Sequence, residues 1–340
     1  MQRPLSPAGF GFAAILFTLM ILGLGVVAPK DRYYRWQEHH SGTTRKADWI
    51  YERLHFDAAP IDVALIGTSR MAGGLSGPDI ERAYCAATGR RIRIANLAIP
   101  ETGRNMHYVL AKEAARAKAP ALFVVELNEF EARRPHNGFV TLADIADVLS
   151  APAVVNANYL SDLARLPGRE THLWLASLLG RGAVRPHFDP AAYQGSDLDR
   201  SRALPLLDGR VMSRFAAAPR AALDADFAAR APAPLPAALR PLEHRYARLY
   251  LRRIEALAGQ AGGDVVYAFL PAWRWPALPD GVLRSLAIER PVIDLGGPIA
   301  ADAAKWLDGA HVNAWGAIEQ SARFAEALAR LRPDLGRPGC

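Results

Sequence analysis

Ser69 follows an apolar run, Ile61 to Ile66, and stands in the turn Gly67-Thr68-Ser69-Arg70. Near the far end of the chain, Asp308-Gly309-Ala310-His311 precedes Val312-Asn313-Ala314-Trp315. A serine hydroxyl is a weak nucleophile until a neighbouring base takes its proton. A histidine can do so through Nε2 when a carboxylate holds its Nδ1–H. Asp and His three apart can share one face of a helical turn, which would bring that carboxylate to the ring. Each piece alone has an ordinary alternative. Ser69 could be a helix cap, and Asp308 with His311 an Asp-turn beside a hydrogen-bonded histidine. Together they could form such a relay, Ser69 supplying the hydroxyl, His311 taking its proton and Asp308 holding the ring, if the fold brings the two ends of the chain together. The serine is not in a G-x-S-x-G elbow, because Met71 stands where the second glycine belongs.

These residues need a scaffold that carries them to one place. Ile61–Ile66 reads as a first strand and Gly77–Thr88 as a helix. Ile92–Leu97 reads as a second strand, Arg104–Lys118 as a helix, and Ala121–Leu127 as a third strand. From about 133 to 236 the chain has Ala/Leu-rich stretches, several prolines and no clear strand alternation, which predicts a helical insertion. Leu242, Tyr246, Leu249, Tyr250, Ile254 and Leu257 recur at helical spacing. Asp264–Leu270 and Pro291–Leu295 supply a fourth and fifth strand, and a last helix runs from about Ala314 to Leu331. Strand–helix alternation predicts an α/β fold with a five-stranded parallel sheet. In such sheets ligands collect at the carboxyl ends of strands, where Ser69 lies.

A serine after the first strand and an Asp-x-x-His before the last helix, enclosing a βαβ pattern, resemble the SGNH hydrolases. The likeness is to their membrane-anchored branch, which includes the D-alanyl-transfer proteins of teichoic acid and the alginate O-acetylation proteins. It covers Ile61–Asn128 and roughly Leu239–Leu331. The resemblance implies a three-layer α/β/α domain over 61–340 with a flavodoxin-like sheet, no cofactor, and an acyl-serine intermediate. It implies as substrates an acyl donor and an envelope glycan, and as partner a multi-pass membrane acyltransferase. It also calls for oxyanion donors after the second and third strands, for which Gly103 and Asn128 are the candidates. Glu101 occupies the expected glycine position, and Glu126-Leu127-Asn128-Glu129 replaces the usual Gly-x-Asn-Asp. Those departures keep a non-catalytic binding or assembly protein as an alternative, and a plain esterase is another because it shares the acyl-serine.

Gly9–Ala28 carries no charge over twenty residues, enough for a helix to span about 30 Å of hydrocarbon. Residues 1–30 are therefore read as a tail and membrane anchor, the alternative being a cleaved signal peptide, whose apolar region is usually shorter. Residues 31–60 follow as a polar neck whose Tyr33, Tyr34 and Trp36 suit an interfacial belt. Counting Arg3 against Lys30, Arg32 and Arg35 favours the domain inside. The family resemblance favours it outside, in the periplasm or its equivalent, with one span through the cytoplasmic membrane. The net charge of +7 suits a membrane surface or anionic glycan, and no nucleic-acid module is visible. Two cysteines make a disulfide framework improbable, and Cys85 reads as a small core residue.

Arg70 and Arg104 are candidates for binding an anionic substrate group. Trp273 and Trp275 suit either sugar stacking or packing against the insertion. His107 and His136 lack partner spacing and read as structural. Glu126, Glu129 and Glu131 read as ordinary strand-end carboxylates, and no zinc-ligand spacing is present, so no metal is expected.

Overall fold

The computed structural model describes residues 7–37, 44, 46–128, 134–153, 156–180, 188, 203–205, 211–213, 215–230, 242–278 and 281–340. The chain opens with helices α1 (Pro7–Val27), α2 (Arg32–Gln37) and α3 (Ala47–His55). Strand β1 (Val63–Ile66) then leads into α4 (Ser69–Gly74) and α5 (Gly77–Thr88). Next come β2 (Arg90–Arg91), β3 (Ile94–Asn96), α6 (Arg104–Ala117) and β4 (Leu122–Leu127). The region predicted as an insertion holds α7 (Phe139–Leu142), α8 (Ile145–Leu149), α9 (Tyr159–Leu179), β5 (Ala203–Pro205), β6 (Val211–Ser213) and α10 (Arg220–Arg230). The chain closes with α11 (Arg245–Gln260), β7 (Asp264–Phe269), α12 (Val282–Leu286), β8 (Val292–Asp294), α13 (Ala314–Leu331) and β9 (Arg337–Pro338).

Five strands form one parallel sheet in the order β3-β1-β4-β7-β8. Every residue of β1 and β4 is buried, as continuous Val/Ile/Leu-rich strands of parallel sheets are. Alternate residues feed two hydrophobic clusters. Ala64, Ile66, Phe123 and Val125 join Leu110 of α6 and Ile254 of α11. Val63, Leu65, Leu122 and Val124 join Tyr84 of α5 and Phe324 of α13. Because β4 pairs directly with β7, the long excursion between them leaves the sheet without interrupting it.

Three sequence expectations need correction here. Residues 31–60 are not a detached neck: Ile50 and Leu54, four apart on α3, are fully buried in the first cluster. Tyr33 and Trp36 enter the same cluster and so are not free for a membrane interface, whereas Tyr34 is half-buried outside it. The insertion is mostly helical but also contains the antiparallel pair β5–β6, too short to show alternation. Cys85 is not an isolated core thiol. It forms a disulfide with Cys340, their Cα atoms 5.9 Å apart. The antiparallel pair β2–β9 and a bond from Gly339 N to Gly89 O at 3.0 Å bring that tail to the end of α5.

Among the described residues, Phe10–Val27 is the one helical stretch long and apolar enough to cross a membrane. Its end is tied to the insertion, where Lys30 Nζ meets Glu170 Oε2 of α9 at 3.0 Å. Asp144, at the start of α8, pairs with Lys112 of α6 at 2.9 Å and with Arg35 of α2. Residues 231–236, the proline-containing end of the predicted insertion, lie outside the described residues.

Candidate active site

The turn that carries Ser69 is fastened from several sides. Thr68 is extended and caps α4, its Oγ1 accepting the Arg70 amide at 3.2 Å. Bonding between β1 and the chain after β3 continues upward, with Leu97 N to Leu65 O at 2.8 Å and Ile99 N to Gly67 O at 3.1 Å. Asn96 Nδ2 donates to the carbonyls of Met71 at 2.9 Å and Leu75 at 3.0 Å, holding α4 against β3. A side chain on Gly67 would run into Glu126 and Met71, whose Cβ atoms each lie 2.9 Å from its place. β1 sits between β3 and β4, so the chain leaves it first to one side and later to the other. Such a switch point opens a crevice at the strand ends. Ser69 stands at it.

The second half of the site comes from a loop before α13. His311 Nε2 lies 2.7 Å from Ser69 Oγ, across 242 residues of sequence. The ring's Nδ1 lies 2.8 Å from Asp308 Oδ2 and 2.9 Å from Oδ1. A carboxylate beside Nδ1 places the ring proton there, so Nε2 accepts from the serine hydroxyl. Asp308 Oδ1 also accepts the amides of Ala310 at 2.7 Å and His311 at 2.9 Å. Burial opposes ionisation of Asp308, but these bonds outweigh it and lower its pKa from 3.8 to about 2. The segment is not the helical turn expected from the spacing. Asp308 captures the following amides in an Asx-type turn, which competes with helix, and Trp306 bridges Val312 around it. The serine is half-buried, and the His311 side chain keeps 32% of its surface, so both are open to solvent.

The insertion holds this loop in place. Asp226 Oδ2 of α10 accepts the Gly309 amide at 3.0 Å, and Ala218 N donates to Trp306 O at 2.9 Å. Asn313 Nδ2 donates to Ala216 O at 3.1 Å. Leu223 packs with Trp306 and Trp273 in a third cluster. Trp273 is 1% exposed and donates Nε1–H to Asp224 at 2.8 Å, while Trp275 meets Phe227 edge-on. Both tryptophans thus pack against α10. Trp315, 56% exposed with Phe215 at its edge 5.0 Å away, is the exposed aromatic next to the loop. Sequence reasoning singled out neither Asp226 nor Trp315, because nothing local links α10 to a loop about eighty residues on.

No known protein family, curated protein or solved structure matches the chain. The site's chemistry is accordingly read from its own geometry.

The remaining candidates fall beneath the triad or beside it. Arg70 is 5% exposed and donates Nε–H to Ala310 O at 3.2 Å. Arg104, 3% exposed, donates to His107 Nδ1 at 2.8 Å and to Asn128 Oδ1 at 3.2 Å. Burial, with Arg104 adding to it, holds the His107 pKa well below the ordinary value, so the ring is neutral. Asn128 is buried at the end of β4. Gly103 starts α6 with φ 156°, and its Cα faces the His136 backbone closely enough to exclude a side chain. His136 bonds to Pro100 O at 2.9 Å and has a burial-lowered pKa. Glu101, in the place expected for glycine, has the left-handed φ of 71° that glycine tolerates best.

Glu126 is no ordinary strand-end carboxylate. It is fully buried and accepts from the Thr68 amide at 2.7 Å and the Thr68 hydroxyl at 3.0 Å. Glu129 and Glu131 lie outside the described residues. Among the described residues, no group of three or more His, Cys, Asp or Glu is arranged to hold a metal ion.

Proposed function

We propose that the protein is a membrane-tethered serine acyltransferase or esterase of SGNH type, acting on acyl esters of an extracytoplasmic envelope polysaccharide. The observation that carries this reading is the Ser69–His311–Asp308 chain of hydrogen bonds at 2.7 and 2.8 Å. In the proposed reaction His311 Nε2 takes the Ser69 proton as Oγ attacks an ester carbonyl. The imidazolium so formed is stabilised by Asp308 and returns its proton to the leaving alcohol. The acyl-serine is then attacked by a sugar hydroxyl or by water, with His311 again accepting the proton. By resemblance, Gly103 and Asn128 would supply oxyanion donors, and acetyl is the favoured acyl group.

The finer architecture belongs to the same reading. The sheet order and the two clusters support a flavodoxin-like, three-layer α/β/α domain. The apolar helix supports a single-pass anchor in the cytoplasmic membrane. The Cys85–Cys340 disulfide favours the oxidising side, against the Lys/Arg count. A multi-pass membrane acyltransferase would deliver the acyl donor beside such an anchor.

Full-length protein in detergent tests the chemistry. Expected is labelling of Ser69 by a fluorophosphonate and loss of labelling in Ser69→Ala. An activated acetyl ester with and without glycan acceptor separates transfer from hydrolysis. A second reading, a non-catalytic assembly protein, is favoured by one observation: Glu101, with a left-handed φ of 71°, stands where the resemblance calls for a glycine. Folded wild-type protein that never labels decides for that reading.

A further inference from the structure

We infer that Arg70 and Glu126 form a buried brace that locks the nucleophile turn to the histidine loop, making both of them positioning residues for the triad. The inference rests on the triad reading and goes beyond it, because neither residue belongs to the Ser–His–Asp set. It also moves Arg70 away from the substrate-binding role that its place in the sequence suggested.

The brace has two hydrogen-bonded arms. At one end is Thr68, the residue before the nucleophile. Its amide and hydroxyl both donate to the Glu126 carboxylate, at 2.7 and 3.0 Å. At the other end is Ala310, the residue before the base. Its carbonyl accepts Arg70 Nε–H at 3.2 Å. Between the ends, burial raises the pKa of Glu126, and the charge of Arg70 is the largest influence lowering it again. Both side chains are buried, so the charge of Arg70 acts on Glu126 with little screening by water. Ser69 sits between Thr68 and Arg70, so each neighbour of the nucleophile in sequence is held by one arm. Glu126 itself is fixed by β4, the strand next to β1.

This arrangement answers a specific mechanical problem. Ser69 is carried by a short helix start, and His311 by a loop with no strand of its own. Without a cross-tie each could move independently by an ångström, which can cost about 100-fold in rate. The burial of Arg70, at 5% exposure, leaves its guanidinium badly placed to collect an anion from solution and well placed to tie backbone together. Arginine suits the task better than lysine because its planar fork holds several acceptors in fixed directions. Glutamate at this position serves a similar end, its carboxylate accepting two donors of one residue.

The test uses full-length protein in detergent and the variants Arg70→Met, Arg70→Lys, Glu126→Gln and the double variant Arg70→Met/Glu126→Gln. Activated esters with a neutral and with an anionic acyl group are compared. Positioning predicts that Arg70→Met lowers kcat for the neutral ester about 100-fold with little change in KM. The double variant should be no slower than the slower single one, since the two residues act as a unit. Arg70→Lys keeps the charge without the fork and should recover only part of the rate. Unchanged kcat on the neutral ester overturns the inference. So does a loss confined to KM for the anionic ester, which assigns Arg70 to substrate.

Hydrogen exchange of the amides of residues 306–313 supplies a readout independent of turnover. A faster exchange in Arg70→Met, with helix amides elsewhere unchanged, supports the brace, and an unaltered loop refutes it. Wild-type protein that never labels at Ser69 would defeat the hydrolase reading alone. The exchange comparison would still decide whether the brace exists.

Discussion

Cutting the Cys85–Cys340 bridge should destabilise the fold while leaving the triad intact below the melting temperature. The two cysteines are 255 positions apart, so the bridge closes most of the domain into one loop. In the chain-entropy treatment, a loop of that size removes roughly 18–19 cal/mol/K from the unfolded chain, about 5.5 kcal/mol at 25 °C. That is a ceiling, since native bridges more often contribute about 2–4 kcal/mol. At roughly 2–4 °C per kcal/mol for a large domain, Cys340→Ser should melt some 5–15 °C below the wild type. The bridge lies at the rim opposite the site, because α5 ends where the chain turns back toward the start of β3. Thermal unfolding by circular dichroism under non-reducing conditions, beside Ser69 labelling at 20 °C, separates the two effects. Reductant added to the wild type should reproduce the variant. An unchanged midpoint in Cys340→Ser would refute the reasoning, and so would a labelling rate that falls in step with stability.

Asp308→Asn should slow Ser69 labelling by about 10⁴-fold, because an amide can hold the ring in the wrong tautomer. Steady-state labelling rates on folded protein check this. Gly67→Ala should destabilise by about 1–3 kcal/mol, as its methyl meets Glu126 and Met71 in a packed turn. Denaturant unfolding reads that loss. For Asp144, burial raises the carboxyl, but bonds from Lys112 and Arg35 outweigh it and hold its pKa at about 2, against 3.8 normally. Its contribution, about 2 kcal/mol, is complete above roughly pH 4 and disappears as the pH falls through about 2. Asp144→Asn should therefore show a smaller loss of stability between pH 7 and pH 2 than the wild type, measured by denaturant unfolding.

The central strands were legible because a parallel sheet buries both faces and leaves continuous apolar runs such as Val63–Ile66 and Leu122–Leu127. Helix α5 and the last helix also matched their expected bounds, Gly77–Thr88 and Ala314–Leu331. Pro78 near the start and left-handed Gly89 at the end punctuate the former. What the sequence hid depends on partners far along the chain. Nothing near Cys340 announces Cys85, and Arg90–Arg91 has no strand pattern until Arg337–Pro338 pairs with it. Ile50 and Leu54 look like part of a polar neck because their apolar stripe is narrow among Asp48, Glu52 and Arg53. At the site, Ser69, Asp308 and His311 were nameable from type and spacing. The places of Glu126, Arg70 and Asp226 were not, since a charged residue shows no sign in sequence of whether it faces water or a buried amide.

The distance along the chain between Ser69 and His311 has a temporal consequence. A growing or partly translocated polypeptide that has exposed its serine still lacks the base 242 residues behind it. Under the proposed acyl-transfer reading, the alcohol would stay chemically dull through most of biogenesis and gain reactivity only once the late loop docks on α10 and the sheet rim. Unfinished copies stranded at the membrane would thus be harmless to the esters around them, with no separate inhibitor or cleavable segment needed to keep them so.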